Sequence, residues 1–246
     1  MADSGYLIKN EINLIIHGFG GTTNEIMYLQ EYLQKQGLNT QAITLAGHGG
    51  TKMDLHNSSH TDWLNSAKTE IAKLEGMYGK INLIGFSMGG LISASLSTLF
   101  KIDKIVFINT PIYFWNMKII VKQVINDLRS GGRDNISYFR NSVFRVSPKS
   151  SIDFLRLLAK TKRILKNVQA QSLILQCTDD ETVHCKSAKY LKTKLGKNAL
   201  LRCYEGGCHQ VFIKAVDIRD AFCDDIFCFL TEKQIDFLRN PAIAKQ

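Results

Sequence analysis

The residues best suited to chemistry in this chain are a serine, a histidine and a group of carboxylates that follow three different strand-like segments. Gly85, Phe86, Ser87, Met88, Gly89 and Gly90 stand between the apolar run KINLI and the helix-like LISASLSTLF. A serine hydroxyl is a poor nucleophile unless a sharp turn exposes it and a base takes its proton; glycines on either side permit such a turn between strand and helix. A base is expected after the last strand, where His209 follows Glu205, Gly206, Gly207 and Cys208. His17 and His48 fall in earlier glycine turns, His56 and His60 in a polar stretch, and His184 too close to the acid loop. An acid to orient the imidazole is expected after SLILQ, and Asp179, Asp180 and Glu181 all qualify by position. Finally, His17, Gly18, Phe19, Gly20 and Gly21 form a glycine-rich turn after the first strand. Such a turn can aim the backbone N–H of Phe19 at a developing oxyanion, while Met88 offers a second N–H from the start of its helix.

These groups converge only if the segments before them lie side by side. Apolar runs recur as INLII (12–16), AITLA (42–46), KINLIG (80–85), KIVFIN (104–109), SLILQ (172–176) and ALLRCY (199–204). Helical periodicity lies between them: Ile26, Leu29 and Leu33 up to Gly37, then Leu64, Ala67, Ile71 and Leu74, and finally Ile218, Phe222, Ile226 and Phe229. Thr22 and Glu25 have the spacing of a capping box for the first of these helices. Continuous apolar strands alternating with helices predict an α/β fold with a mostly parallel sheet of six or seven strands, covered on both faces. Ligands of such sheets bind beyond the carboxyl ends of the strands, where these candidates fall.

The alternation lapses between residues 110 and 168. We therefore expect a core of residues 1–110 and 168–246, and an inserted helical lid at 111–167. Tyr113, Phe114 and Trp115, just after the fourth strand, are candidates to line a substrate pocket. The insertion also carries twelve Lys and Arg against Asp127, Asp134 and Asp153, which equals the whole net charge of +9. That charge could give weak contact with an anionic surface, but no nucleic-acid motif accompanies it.

At 246 residues, 45% hydrophobic and 22% charged, the composition is that of a globular domain. The early Asp3 and the interrupted apolar run argue against a secretory signal, and no stretch approaches the ~20 apolar residues of a membrane span. Six cysteines without a CxxC pair predict reduced thiols and a cytoplasmic location, with no metal and no cofactor. Oligomeric state has no signature in the sequence.

Taken in order, HGFGG, AGHGG, the Asp62 and Trp63 pair, GFSMGG, the DDETV loop and the GGCH turn resemble the small bacterial carboxylesterases and monoacylglycerol-lipase-like members of the α/β-hydrolase superfamily. The resemblance implies an α/β-hydrolase fold and a serine esterase without a cofactor, acting on small carboxylic esters or monoacylglycerols. Its acid commonly stands three residues before a valine, which selects Asp180 through Val183 and leaves Asp179 and Glu181 as solvated charges. It also implies that the backbone at Phe19 and Met88 forms the oxyanion hole. Cys208 replaces the small residue usual before the family's histidine, so its thiol is expected near the site, with sensitivity to thiol reagents. A thioesterase using the same triad, or a binding protein that keeps the fold without catalysis, are the alternatives.

Overall fold

The computed structural model describes residues 10–113 and 147–233. Six strands form one sheet: β1 (Glu11–Ile16), β2 (Thr40–Ile43), β3 (Lys80–Phe86), β4 (Lys104–Ile108), β5 (Gln171–Cys177) and β6 (Ala199–Tyr204). Their order is β2-β1-β3-β4-β5-β6, and every pairing is parallel. The second strand lies two to three residues earlier than AITLA suggests. It ends at Ile43 because the Leu45 N–H donates to His17 Nε2 (3.1 Å) and the Ala46 N–H to Ser66 Oγ (2.9 Å), outside the ladder.

Alternation along the strands separates two apolar layers. Leu14, Ile16, Leu83, Ile105, Phe107 and Ile174 face one side, where they meet α3 (His60–Glu75), α4 (Met88–Leu96), α5 (Pro148–Ile164) and α6 (Lys186–Leu195). Ile15, Ile84, Phe86, Val106, Ile108 and Leu175 face the other, against α1 (Met27–Lys35), the short α7 (Val211–Lys214) and α8 (Val216–Leu230). A sheet buried on both faces needs such uninterrupted apolar strands, and each large side chain withdrawn from water contributes about 1.5–3 kcal/mol. A further short helix, α2 (Lys52–Asn57), precedes α3.

The helix ends follow local chemistry. Ser59 and Asp62 form a capping box on α3, with the Ser59 N–H donating to Asp62 Oδ2 at 2.9 Å. Thr22 and Glu25 do not make one. Thr22 Oγ1 instead accepts the Asn24 N–H (3.2 Å) and caps the 3₁₀ turn Thr23–Glu25, which leaves the Glu25 carboxylate free to turn inward. Gly37, at φ 85°, closes the end of α1 as its spacing predicts.

Helix α5 forms the last part of the segment expected as a lid. Its apolar face buries Phe154, Leu157 and Leu158 in the same layer as α3 and α4, so it is built into the body. Thr161 Oγ1 lies 3.0 Å from Ser95 Oγ on α4. His60, expected in a polar stretch, is buried at the start of α3. Its Nδ1–H donates to Asp153 Oδ1 (2.9 Å), and Lys160 Nζ donates to its Nε2 (2.9 Å), so three side chains tie α3 to α5. His56 lies on α2 and hydrogen-bonds Ser147 Oγ. Residues 114–146, the larger part of the predicted lid, lie outside the described residues.

Candidate active site

The parallel register brings the carboxyl ends of the central strands level. Ile16 pairs with Gly85, Phe86 with Ile108, Ile108 with Leu175 and Cys177 with Tyr204. The loops that follow therefore open on one edge of the sheet.

Ser87 occupies the sharp turn between β3 and α4 at φ 51° and ψ −118°. A non-glycine residue held there costs about 1–3 kcal/mol, which the surrounding packing must supply. A Cβ on Gly85 would overlap the Gly89–Gly90 backbone, and one on Gly89 would overlap the Ile16 carbonyl oxygen. The two positions allow α4 to press against β1 and hold the turn closed. Ser87 ends nearly buried, its Oγ 3.1 Å from His209 Nε2.

His209 arrives on the loop after β6. Its ring packs against Phe86, with centroids 5.3 Å apart, and its Nδ1 lies 2.8 Å from Asp180 Oδ2. A carboxylate can only accept, so Nδ1 carries the proton and Nε2 is left as the acceptor for the Ser87 hydroxyl. The other oxygen of Asp180, Oδ1, accepts the Thr182 and Val183 N–H groups at 2.8 and 2.7 Å. Asp180 is 1% exposed, and these two bonds orient its carboxylate toward the imidazole. Asp179 is exposed and accepts the Thr178 hydroxyl (3.3 Å). Glu181, expected as a solvated charge, accepts the backbone N–H of His209 at 3.0 Å.

Asn109 is a site residue that sequence reasoning missed. At φ 45° it sits just beyond β4, fully buried. Its Oδ1 accepts the Cys177 N–H (2.9 Å), while its Nδ2 donates to the carbonyls of Cys208 (3.3 Å) and His209 (3.0 Å). One amide thus ties the base loop to β5. An asparagine at a strand end is too common a pattern to signal this.

The turn after β1 lies beside the nucleophile. A Cβ on Gly18 would stand 3.2 Å from Ser87 Cβ. The Gly21 N–H closes the turn on the Gly18 carbonyl at 3.3 Å, and Gly20 takes φ 69°. His17 anchors its start. Because His17 Nε2 accepts from Leu45, its Nδ1 must carry the proton donated to the Gly18 carbonyl (2.7 Å). Burial pushes the His17 pKa down to about 4, so the neutral ring persists well into acid. The Phe19 ring stacks on Phe154 of α5 (5.0 Å) and tilts against Trp63 (5.4 Å). Met88 is the first residue of α4, where backbone N–H groups lack intrahelical partners.

The predicted pocket residues fare differently. Tyr113 sets its ring edge-on to Tyr190 of α6 (5.6 Å), with Lys162 of α5 4.9 Å from the ring centre, so its ring packs against those helices. Phe114 and Trp115 lie outside the described residues. All six cysteines are free thiols. Cys208 is part-buried, and burial together with the Glu181 carboxylate pushes its thiol above the ordinary range, which argues against ready reaction. Among the described residues, no group of three or more His, Cys, Asp or Glu is arranged to hold a metal, and no helix is long and apolar enough to cross a membrane.

Comparison with known proteins agrees with this architecture. A family model of the alpha/beta hydrolase fold matches residues 14–124. A carboxylesterase of Bacillus subtilis (strain 168) is 24% identical over 226 residues, covering 88% of this chain and 91% of the relative. A thermostable monoacylglycerol lipase of Bacillus sp. (strain H-257) is 25% identical over 181 residues, covering 69% and 70%. A solved structure from a pair of metagenome-derived lipolytic enzymes superposes with a TM-score of 0.74 at 16% identity, covering 92% of this chain and 95% of that one.

Proposed function

Starting from a chain with the α/β-hydrolase fold, we propose that it is a serine carboxylic ester hydrolase, acting on short- to medium-chain esters or monoacylglycerols through an acyl-enzyme on Ser87. The observation that carries this reading is the hydrogen-bonded run from Ser87 through His209 to Asp180. His209 Nε2 takes the hydroxyl proton as Ser87 Oγ attacks the ester carbonyl, and Asp180 stabilises the imidazolium that results. The carbonyl oxygen becomes an oxyanion facing the Phe19 and Met88 N–H groups. As the intermediate collapses, His209 returns the proton to the leaving oxygen and the alcohol departs. Water then repeats the sequence against the acyl-enzyme, with His209 again as base, releasing the acid and restoring Ser87. No metal or cofactor enters these steps. All five groups fall within the proposed core of residues 1–110 with 168–246, outside the proposed lid at 111–167. The free thiols support a cytoplasmic setting.

The test is hydrolysis of p-nitrophenyl esters from acetate to palmitate by the wild type and Ser87→Ala, with fluorophosphonate labelling read by intact mass. Turnover and a single adduct that both vanish in the variant are expected. A folded wild type that neither turns over nor labels would refute the reading and point to a binding protein on the same fold. A matching thioester hydrolysed faster than the oxygen ester would reassign the leaving group.

A further inference from the structure

Resting on the ester-hydrolase reading above, we propose that Glu25 is a positioning residue for the reaction, bracing the oxyanion turn at residues 17–21 against the loop that carries His209. Glu25 ends the 3₁₀ turn that follows this glycine turn, and its carboxylate points back beneath it. Oε2 accepts the Gly18 N–H at 3.3 Å. A Cβ on Gly18 would lie 3.3 Å from that oxygen and 3.2 Å from Ser87 Cβ, so carboxylate and nucleophile flank the same backbone position. At the other end of the turn, a Cβ on Gly21 would overlap the carboxylate outright. Across the site, the Gln210 side chain and the adjoining His209 imidazole both favour the charged form of this carboxylate. One side chain therefore touches both ends of the turn presenting Phe19 and reaches the loop presenting the base.

The turn needs such a brace. With glycine at positions 18, 20 and 21 its backbone has more freedom than an ordinary loop, whereas oxyanion donors work only when fixed within about 0.5 Å of the productive geometry. Burial raises the proton affinity of Glu25, with the Gly18 N–H and His209 pulling it back. The bland reading is a residue that merely fills space at the start of a helix. The two readings differ in what removal changes: a filler affects stability, a brace affects the transition state at constant substrate affinity.

The experiment compares wild type, Ser87→Ala, Glu25→Ala, Glu25→Gln and Glu25→Asp in kcat and KM for p-nitrophenyl butyrate, inhibition by a trifluoromethyl ketone, and Tm. The ketone adds to the serine and mimics the tetrahedral oxyanion. Glu25→Ala is expected to lower kcat by about tenfold to a hundredfold, below the full loss of a donor, with KM nearly unchanged and ketone affinity weakened by the same factor. Glu25→Gln keeps an oxygen for the Gly18 N–H and should recover most of kcat. Glu25→Asp keeps the charge but withdraws it by a methylene, so it should behave like Glu25→Ala, and it serves where the alanine variant does not fold. Kcat within about twofold of wild type in Glu25→Ala or Glu25→Asp overturns the proposal, as does equal impairment of the Gln and Asp variants with unchanged ketone affinity. Absence of turnover in the wild type overturns the hydrolase reading itself, and this proposal with it.

Discussion

Replacing Asp180 by asparagine exchanges one carboxylate oxygen for an amide nitrogen and should cost nearly all activity. The asparagine carbonyl can take the place of Oδ1 and keep the Thr182 and Val183 N–H bonds at 2.8 and 2.7 Å. The amide –NH₂ then faces His209 Nδ1. The flipped rotamer would aim that –NH₂ at two backbone donors in a site 1% exposed, leaving buried groups unsatisfied at about 1–3 kcal/mol each, so the first orientation wins. His209 Nδ1 must now accept, and the ring proton moves to Nε2. That nitrogen, 3.1 Å from Ser87 Oγ, then points a hydrogen where it should take one. Loss of the correct tautomer in serine hydrolase triads lowers kcat by about 10⁴, or roughly 5 kcal/mol of transition-state stabilisation. The assay is kcat for p-nitrophenyl butyrate with the rate of fluorophosphonate labelling, both expected to fall together while Tm moves little. Asp179→Asn, at the exposed neighbour, is the control and should stay near wild type. Asp180→Asn retaining more than about a tenth of wild-type kcat would refute the tautomer argument.

Three further perturbations test other parts of the structure. Gly89→Ala sets a methyl against the Ile16 carbonyl and should lower stability by about 3 kcal/mol or more, read as a urea midpoint; a soluble variant with the wild-type midpoint would contradict the close α4–β1 approach. His17 is held at about 4 in the folded state against 6.5 unfolded, so between those values only the unfolded chain takes up its proton. Its stabilising contribution, about 3 kcal/mol, is complete above pH 6.5 and lost as pH falls toward 4; His17→Gln should flatten the acid limb of the stability–pH curve, and an unchanged slope would refute the assignment. The raised pKa of Cys208 predicts that iodoacetamide at pH 7 alkylates it several-fold more slowly than free cysteine, followed by peptide mass. Rapid alkylation of Cys208 would show that its thiol is not shielded.

The sequence carried information wherever function or packing depends on periodicity or on position after a strand. The strands could be read because both faces are buried; Ser87 and His209 were singled out because each follows a strand in chain order, whereas position did not choose among the three carboxylates after β5 and only the family resemblance selected Asp180. Where a side chain pairs far along the chain, the sequence was silent or misleading. His60 meets Asp153, 93 residues away, and nothing local distinguishes it from a solvated histidine. Glu25 has the spacing of a helix cap yet turns to Gly18, and Glu181 looks like a loop charge yet receives the His209 N–H. Tyr113 meets Tyr190 and Lys162, 77 and 49 residues away, partners that only tertiary packing brings near.

An all-parallel sheet also governs when this site comes into being. None of its strand pairs can form as a hairpin: β1 meets β3 at a separation of 69 residues, as between Ile12 and Ile81, and β4 meets β5 across a crossover of similar length, as between Ile105 and Ser172. Each closure spends chain entropy before its contacts exist, which places the fold among slow, high-contact-order topologies. Because the oxyanion turn, nucleophile, acid and base follow β1, β3, β5 and β6 in turn, they come together only when every pairing in the run β1-β3-β4-β5-β6 is made, the edge strand β2 alone lying outside it. Esterase activity regained after dilution from denaturant is thus a clock for the last of the pairings that join β1 to β6, whereas far-ultraviolet circular dichroism, which senses helices formed locally, reports earlier events.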